Sequence, residues 1–494
     1  MAKKKGKKIP IENKKEFVKV VKDDSNPGKL KFTTFDRLLK PHNFFTVCAF
    51  VFGSLFMILT APFQVADEHT HFDRVYQLSE LETVCKIENN ALGAYIPASF
   101  GKLASDFRYL SWQPNNKVTK NQIFKALRVP LNKSQKSFQA INASGYFYFS
   151  YIPQLPVMVI SKWFNFNTLV ILYLGRLSAL LFFISCLRYA LIRIPFAKYL
   201  LATVALMPMC LAQAASFNAD CVIFSLSFLG VALVLKKSFE TEPFKLDLDF
   251  YILVGISLIY GVLKPTYLPL AFLLIALIAR YVRSNRKLVY LLTGTLILSS
   301  LLTYGWRHWF SSGSNPVAAT NVSVSNLGVT NKDVTLFQNP KLILELVHNS
   351  FLYFKDFYFK STIGILGYLD TSLPTQVYSI FTFLIFFLLL FDFNKNYSLK
   401  IGDRLLFFIC GFGVVLLTII GMYGFTREEA GLVAEGVQGR YFIPALMPIF
   451  LMINGILPFK IDLMKYKSLN VVIYLAIIYS LYLASSTLKT RYFG

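Results

Sequence analysis

The sequence predicts an all-α polytopic membrane protein with about eleven transmembrane helices and a cytoplasmic N-terminus. Three observations carry that prediction. Of the 494 residues, 55% are hydrophobic and 16% aromatic. The apolar residues come in long blocks, near the ~20 residues a helix needs to cross the hydrocarbon core. The loops rich in Lys and Arg fall on alternate connections, as the positive-inside bias requires.

The formal net charge of +24 sits in short loops and in the N-terminal tail, not along one amphipathic face. It therefore fits membrane orientation, and no nucleic-acid partner is expected. Of six cysteines, Cys48, Cys186, Cys210, Cys221 and Cys410 lie in or beside apolar runs, leaving Cys85 alone in a polar region. That pattern implies neither a disulfide framework nor a cysteine-based zinc site.

Residues 1–42 read as a basic cytoplasmic tail attracted to anionic membrane lipids. The tail is too long and too charged for the leading region of a cleaved signal peptide. Residues 43–490 form the transmembrane domain. Its expected spans are 43–61, 168–187, 197–215, 219–235, 249–263, 266–283, 288–306, 374–393, 403–422, 440–457 and 468–487.

The stretch GYFYFSYIPQLPVMVISKWF, from Gly145 to Phe164, is also apolar, but it carries two prolines, several tyrosines and a Lys-Trp end. It suits the headgroup layer better than the hydrocarbon and is expected to be an interfacial helix. With it excluded from the count, RYALIRIPFAK, KKSFETEPFK, RYVRSNRK, NKNYSLKIGDR and KIDLMKYK all share a side with the basic tail. The opposite, outer face then receives long loops at 62–167 and 307–373, the turns at 216–220 and 264–266, and the segment 424–440.

The chemistry-bearing residues concentrate on that outer face. Directly after the first span, TAPFQVADEHTHFDR places Asp67, Glu68, His69, His71, Asp73 and Arg74 within eight residues. On a helix Asp67, His71 and Arg74 would share one face, and His69 and Asp73 another. Solvated carboxylates at a membrane boundary are the plainer account, but the density of ionisable groups argues for a site. Carboxylates and imidazoles also bind divalent ions such as Mg or Mn, although no ligand set is complete enough to require one. GVQGRYFIPALMP opens the tenth span with Gln438 and Arg440 beside two glycines, where an anion can approach the backbone. Lys264 stands between two spans, before Pro265, and Arg176 lies inside a span; intramembrane cations normally have a partner or a task. Asp220, in SFNADC, is placed to cap the fourth span.

Taken in order, APFQVADEHTHFDRVYQLS, SFNADCVIFSLSFL, KPTYLPLA, GILGYLD and GVQGRYFIPALMP resemble the motifs of the bacterial membrane family called domain of unknown function 2142, from about residue 40 to 490. Ala66 replaces the family's usual Pro before the acidic pair, and Phe72 a smaller residue after His71. Neither change touches a charged group. The family in turn resembles the GT-C glycosyltransferases, with interfacial helices in a large first outer loop and an acidic motif after the first span. The passage from Tyr146 to Arg176 is similar to a GT-C segment ending in Arg.

The resemblance implies inverting transfer of a sugar from a polyprenyl-phosphate donor to a cell-envelope glycan or lipid-linked acceptor, on the outer face of the bacterial cytoplasmic membrane. Asp67 or Glu68 would be the base, and Lys264, Arg440 and Arg176 would hold the donor phosphate. His69, His71, Asp73, Arg74, Asp220 and Gln438 would support them. Two other activities share these features: a glycan ligase or polymerase using lipid-diphosphate donors, and a transporter or flippase for a lipid-linked sugar.

Overall fold

Each of the eleven expected spans is largely helical over its described residues in the computed structural model, which describes residues 34–88, 91–240, 244–313, 336, 339–392, 397–424, 426, 431–454 and 466–494. Most of the basic tail, residues 1–33, lies outside the described residues.

A short α1 (Thr34–Leu38) precedes α2 (Pro41–Leu59), the first span. Proline at its first turn is preset for a helix start, and Pro62 just beyond Thr60 ends it. The chain then builds α3 (Glu68–Ser79), β1 (Lys86–Glu88), β2 (Ala91–Pro97), α4 (Ala98–Arg108), α5 (Lys120–Leu127), β3 (Lys136–Ala140) and α6 (Gln154–Trp163). The three strands form an antiparallel sheet in the order β1-β2-β3, with Gly93 opposite both Lys86 and Ala140. The expected interfacial segment is a 3-10 turn at Tyr148–Tyr151 followed by α6. At ten residues α6 is too short to cross a bilayer.

The helices α7 (Thr168–Arg193), α8 (Lys198–Ala205), α9 (Pro208–Ala214), α10 (Asp220–Ser238) and α11 (Leu248–Leu263) follow. A 3-10 stretch at Pro265–Leu274 leads into α12 (Ile275–Tyr281) and α13 (Arg286–Gly313). Beyond them come α14 (Pro340–Ile363), the strand pair β4 (Ile365–Leu366) and β5 (Thr371–Ser372), α15 (Thr375–Phe391) and α16 (Ile401–Tyr423). A 3-10 turn at Gly439–Phe442, α17 (Ile443–Ile453) and α18 (Lys467–Tyr492) complete the chain.

Among the described residues six helices are long and apolar enough to cross a membrane: α2, α7, α10, α13, α16 and α18. Four of the other expected spans are apolar but shorter, and the span at 197–215 is split into α8 and α9. The split follows from Pro208, which supplies no N–H and holds Met207 extended at ψ 140°. Pro265 and Pro269 likewise leave residues 265–274 as a 3-10 stretch. Burial ranks the spans. In its most apolar stretch α10 is 89% buried and α13 only 28%, so α10 is the bundle's axis and α13 its periphery.

Contacts at the two ends of the bundle show that the spans alternate in direction. One end holds Arg188 with Asn43 (2.8 Å), Arg193 with Asp249 (3.2 Å), and Asp392 accepting the Leu200 N–H (2.8 Å). There Arg404 donates to the carbonyls of Leu451, Met452 and Asn454. The other end, called the loop end below, carries α3 to α6 and the sheet. Asp370 clamps it, accepting from Arg491 at 2.8 Å and from the Trp112 N–H at 2.9 Å. The expected long loop at 307–373 contains α14, which interleaves Lys341, Glu345, Lys355, Asp356 and Lys360 with apolar residues. That charge spacing excludes it as a span.

Candidate functional site at the end of the first span

The connection from α2 to α3 carries two residues in the left-handed region, Phe63 (φ 57°) and Asp67 (φ 65°). Neither is glycine, so each conformation is imposed by its neighbours at a cost of about 1 kcal/mol or more. At Asp67 the neighbours are two arginines. Arg440 donates to the carbonyl of Ala66 at 3.3 Å, one residue before. Arg176 holds the carboxylate of Glu68, one residue after.

Glu68 and Arg176 consume each other. Arg176 Nε donates to Glu68 Oε1 at 2.7 Å and Nη2 to Oε2 at 2.5 Å. Its remaining donors reach the carbonyls of Met57 (3.0 Å), Thr60 (2.9 Å) and Ala61 (3.1 Å), so all five N–H groups are used. Glu68 Oε1 also accepts the Phe217 N–H at 2.9 Å. Both side chains are fully buried. The pair ties the end of α2, the start of α3, the body of α7 and the turn before α10 into one joint, and no donor of Arg176 is left for a phosphate.

Asp67 faces the other way. Its side chain keeps 41% of its surface accessible, and Oδ2 accepts from Arg440 Nη2. Burial alone would raise this carboxyl; the charge and hydrogen bond of Arg440 outweigh that and hold it below the ordinary aspartate value. Arg440 is held more loosely than Arg176. Its Nη1 donates to Gln213 Oε1 at 3.2 Å, Nη2 meets the Tyr441 hydroxyl at 3.4 Å, and Nε stands 3.5 Å from Asp220 Oδ2 without a hydrogen bond. That Nε is itself buried and faces Asp220, so Arg440 acts on its surroundings through its charge.

Arg440 can stand there because Gly439 precedes it. A Cβ at residue 439 would come within 2.3 Å of the Tyr358 carbonyl oxygen and 2.4 Å of the Thr362 nitrogen, where no side chain fits. The Gly439 N–H donates to Ser361 Oγ at 2.8 Å, and its carbonyl accepts from Thr362 Oγ1 at 3.2 Å.

Lys264, just past α11, brings a second cation. Its ammonium lies 3.9 Å from the Tyr441 ring centroid and 5.8 Å from that of Tyr267, and it makes no ion pair among the described residues. Burial depresses it to about 8, although the charges of Asp220 and Asp67 act to raise it. The side chain still keeps some accessible surface. Strong desolvation with residual access marks a recessed ammonium, and the region around it is called the cleft below. Close in sequence to Arg440 and Lys264, Gln438 Oε1 and Thr266 Oγ1 are buried without a hydrogen-bond partner.

His71 lines the same region. Its Nδ1 meets the Tyr151 hydroxyl at 2.6 Å and its ring packs edge-on against Tyr146 at 5.0 Å. Burial drives the imidazole down to about 3, so it is neutral. The 3-10 turn carrying Tyr151 is tied to the Lys264 side by Ser150 Oγ, 3.5 Å from the Leu263 carbonyl.

The remaining expected residues separate. Burial lowers the His69 imidazole against the pull of Asp67. Arg74 turns away from Asp67: its guanidinium donates to the carbonyls of Tyr146 and Thr83 and to Gln77 Oε1, so the shared face expected with Asp67 and His71 does not form. The reason is that α3 begins at Glu68, and Asp67 stands outside the helix in the left-handed region. Asp73 is buried without an ion pair among the described residues, and burial raises its carboxyl well above the usual range. Asp220 does not cap α10; Asn218 Oδ1 takes the Cys221 N–H (3.3 Å), and the Asp220 carboxylate turns to Arg440. Among the described residues no three His, Cys, Asp or Glu side chains assemble as metal ligands. Gln213, Tyr151, Tyr267 and Tyr441 join the cleft without having been expected. The three tyrosines had a signal in the quoted motifs: Tyr441 beside Arg440 in GVQGRYF, Tyr267 close to Lys264 in KPTYLPLA, and Tyr151 in the stretch from Gly145.

No curated protein and no solved structure matches this chain. A family model described as a predicted membrane protein (DUF2142) matches residues 50–449, most of the sequence, and the chain belongs to that family of membrane proteins.

Proposed function

We propose that the protein is an inverting glycosyltransferase that moves a sugar from a polyprenyl-phosphate donor to a cell-envelope glycan or lipid-linked acceptor, on the outer face of the bacterial cytoplasmic membrane. One observation carries the reading: of two adjacent carboxylates, Asp67 alone is accessible, and Arg440 keeps it ionised within electrostatic reach of the unpaired Lys264.

In this reading Asp67 takes the proton of the acceptor hydroxyl as the acceptor oxygen attacks the anomeric carbon. The bond from that carbon to the phosphate oxygen breaks, and polyprenyl phosphate leaves with the bonding pair. Lys264, aided by the positive charge of Arg440, stabilises the charge that builds on the phosphate. Arg176, committed to Glu68, is reassigned from phosphate binding to structure. The neutral His71 orients groups in the cleft, and no step runs through a metal.

The test is incubation of the purified protein with a panel of polyprenyl-phosphate sugars and acceptors, following release of the lipid phosphate. Turnover that Asp67→Asn abolishes without loss of fold supports the reading. Absence of turnover and of binding with every donor rejects it.

Interrupted helices favour a second reading, transport of a lipid-linked sugar. The α8/α9 break and the 3-10 stretch at 265–274 are discontinuities of the kind that line transport sites. Movement of labelled lipid-linked sugar across proteoliposomes, without release of lipid phosphate, would favour transport.

A further inference from the structure

Outside the cleft, the side of α7 carries two neighbouring apolar grooves. The first, about 350 Å³, runs between α7 and α5 and reaches Met57 of α2; Ile123 and Leu127 form its α5 wall. The second, about 200 Å³, runs between α7 and α6, with Val157 and Ile160 on its far wall. Leu174 and Leu177 line both, so they form a ridge with a groove on either flank.

Above the first groove sits a short helix of unusual charge. From Lys117 through Lys136 the chain has six basic residues and no acidic one. Lys117 is used on the Thr490 and Arg491 carbonyls, Lys133 on the Lys162 carbonyl, and Lys136 on Glu80. Lys120, Lys125 and Arg128 are exposed and make no ion pair among the described residues. Lys120, Phe124, Leu127 and Arg128 share one face of α5 by their spacing, and Phe124 is 58% exposed. The helix is fixed at both ends. Thr119 and Gln122 close a capping box at its start, and Asn167, which caps α7, donates to the Leu127 carbonyl at 3.1 Å. On α6, beside the second groove, Trp163 is 75% exposed, as in side chains that settle at the headgroup level.

We propose that this surface is a binding site for one anionic diacyl phospholipid. Its two acyl chains lie on either flank of the Leu174–Leu177 ridge, and its phosphate headgroup meets Lys120 and Arg128 at the lip of the first groove. The paired grooves fit a two-chain lipid, and the excess of unpaired cations at their lip selects a negative headgroup. Phe124 and Trp163 set the depth of α5 and α6 in the headgroup layer. The site is separate from the Asp67 cleft, since the buried Glu68–Arg176 joint stands between them, and it is independent of the proposed glycosyl transfer.

The test uses the full-length protein in a neutral detergent, offered phosphatidylglycerol or phosphatidylcholine with identical chains, with retained lipid counted by native mass spectrometry. Phosphatidylglycerol is expected to be retained about tenfold more, and added salt should shrink that preference. The double variant Lys120→Gln, Arg128→Gln, altered only at exposed positions, should lower the ratio to near one. Leu174→Trp, which crowds both grooves, should reduce retention of either lipid. Unchanged thermal unfolding serves as the check on folding. Equal retention of the two lipids by the unaltered protein, or an undiminished preference in the double variant, overturns the proposal. Displacement of phosphatidylglycerol by equimolar polyprenyl phosphate also overturns it, by assigning the grooves to a single-chain isoprenoid.

Discussion

Arg440 reaches across 373 positions of chain to hydrogen-bond Asp67, and the same guanidinium stands 3.5 Å from Asp220. One buried cation thus serves two carboxylates delivered by different elements. It keeps the accessible one ionised and compensates the buried one.

From this arrangement, Asp67→Asn and Arg440→Gln should fail differently. Asn tolerates the left-handed region and keeps the side-chain shape, so Asp67→Asn should fold normally. It should lower sugar transfer about 10²–10⁴-fold, the usual contribution of a general base. Arg440→Gln leaves Asp220 buried without its cation and should destabilise the protein by about 3 kcal/mol as well. Thermal unfolding in detergent, run beside the transfer assay, separates the two outcomes.

Glu68 should behave as a structural residue. Glu68→Gln and Arg176→Lys each break a fully buried bidentate pair and should cost about 3–5 kcal/mol of stability. Any loss of transfer in these variants should follow the loss of folded protein. A stable Glu68→Gln variant with no transfer would instead return catalytic duty to Glu68.

Lys264 sets a pH limit on anion binding. Its ammonium is depressed from the ordinary 10.5 to about 8, so affinity for a phosphate ligand should fall as pH rises through 8. Stability should move oppositely. Between pH 8 and 10.5 the unfolded chain binds the proton more tightly than the folded one, so this group's contribution to stability increases as pH rises through that window. Lys264→Met should remove the alkaline limb from a binding titration with inorganic phosphate or polyprenyl phosphate.

His71 gives the acid counterpart. Held neutral down to about 3 against an ordinary 6.5, it favours proton uptake by the unfolded chain between those values. Its contribution to stability is complete above 6.5 and is lost as pH falls toward 3. His71→Asn should flatten that part of a stability-versus-pH curve measured by thermal unfolding.

Gly439→Ala should disable the cleft without touching an ionisable group. The added methyl meets backbone atoms of α14 at 2.3 and 2.4 Å, which must separate and carry Arg440 with them. Loss of phosphate-ligand affinity by tenfold or more is expected, and full retention in an isothermal titration would contradict the packing described.

Much of the architecture was legible in the sequence because hydrophobic block length and loop charge act locally along the chain. The helical segments at the expected spans and the concentration of ionisable residues after α2 follow from those patterns alone. What α14 does, and where Pro208 splits a span into α8 and α9, was less legible, since mixed charge and a single proline blur a hydropathy pattern. The role of each acid was not legible at all. Asp67 and Glu68 are adjacent carboxylates with nearly the same chemistry. Their fates diverge because Arg176, 108 positions away, draws Glu68 into the bundle, while the backbone turn at φ 65° directs Asp67 to the accessible side and to Arg440. Burial and partnership are properties of atoms brought together in space, so tertiary structure alone decided which carboxylate was sealed in and which stayed accessible.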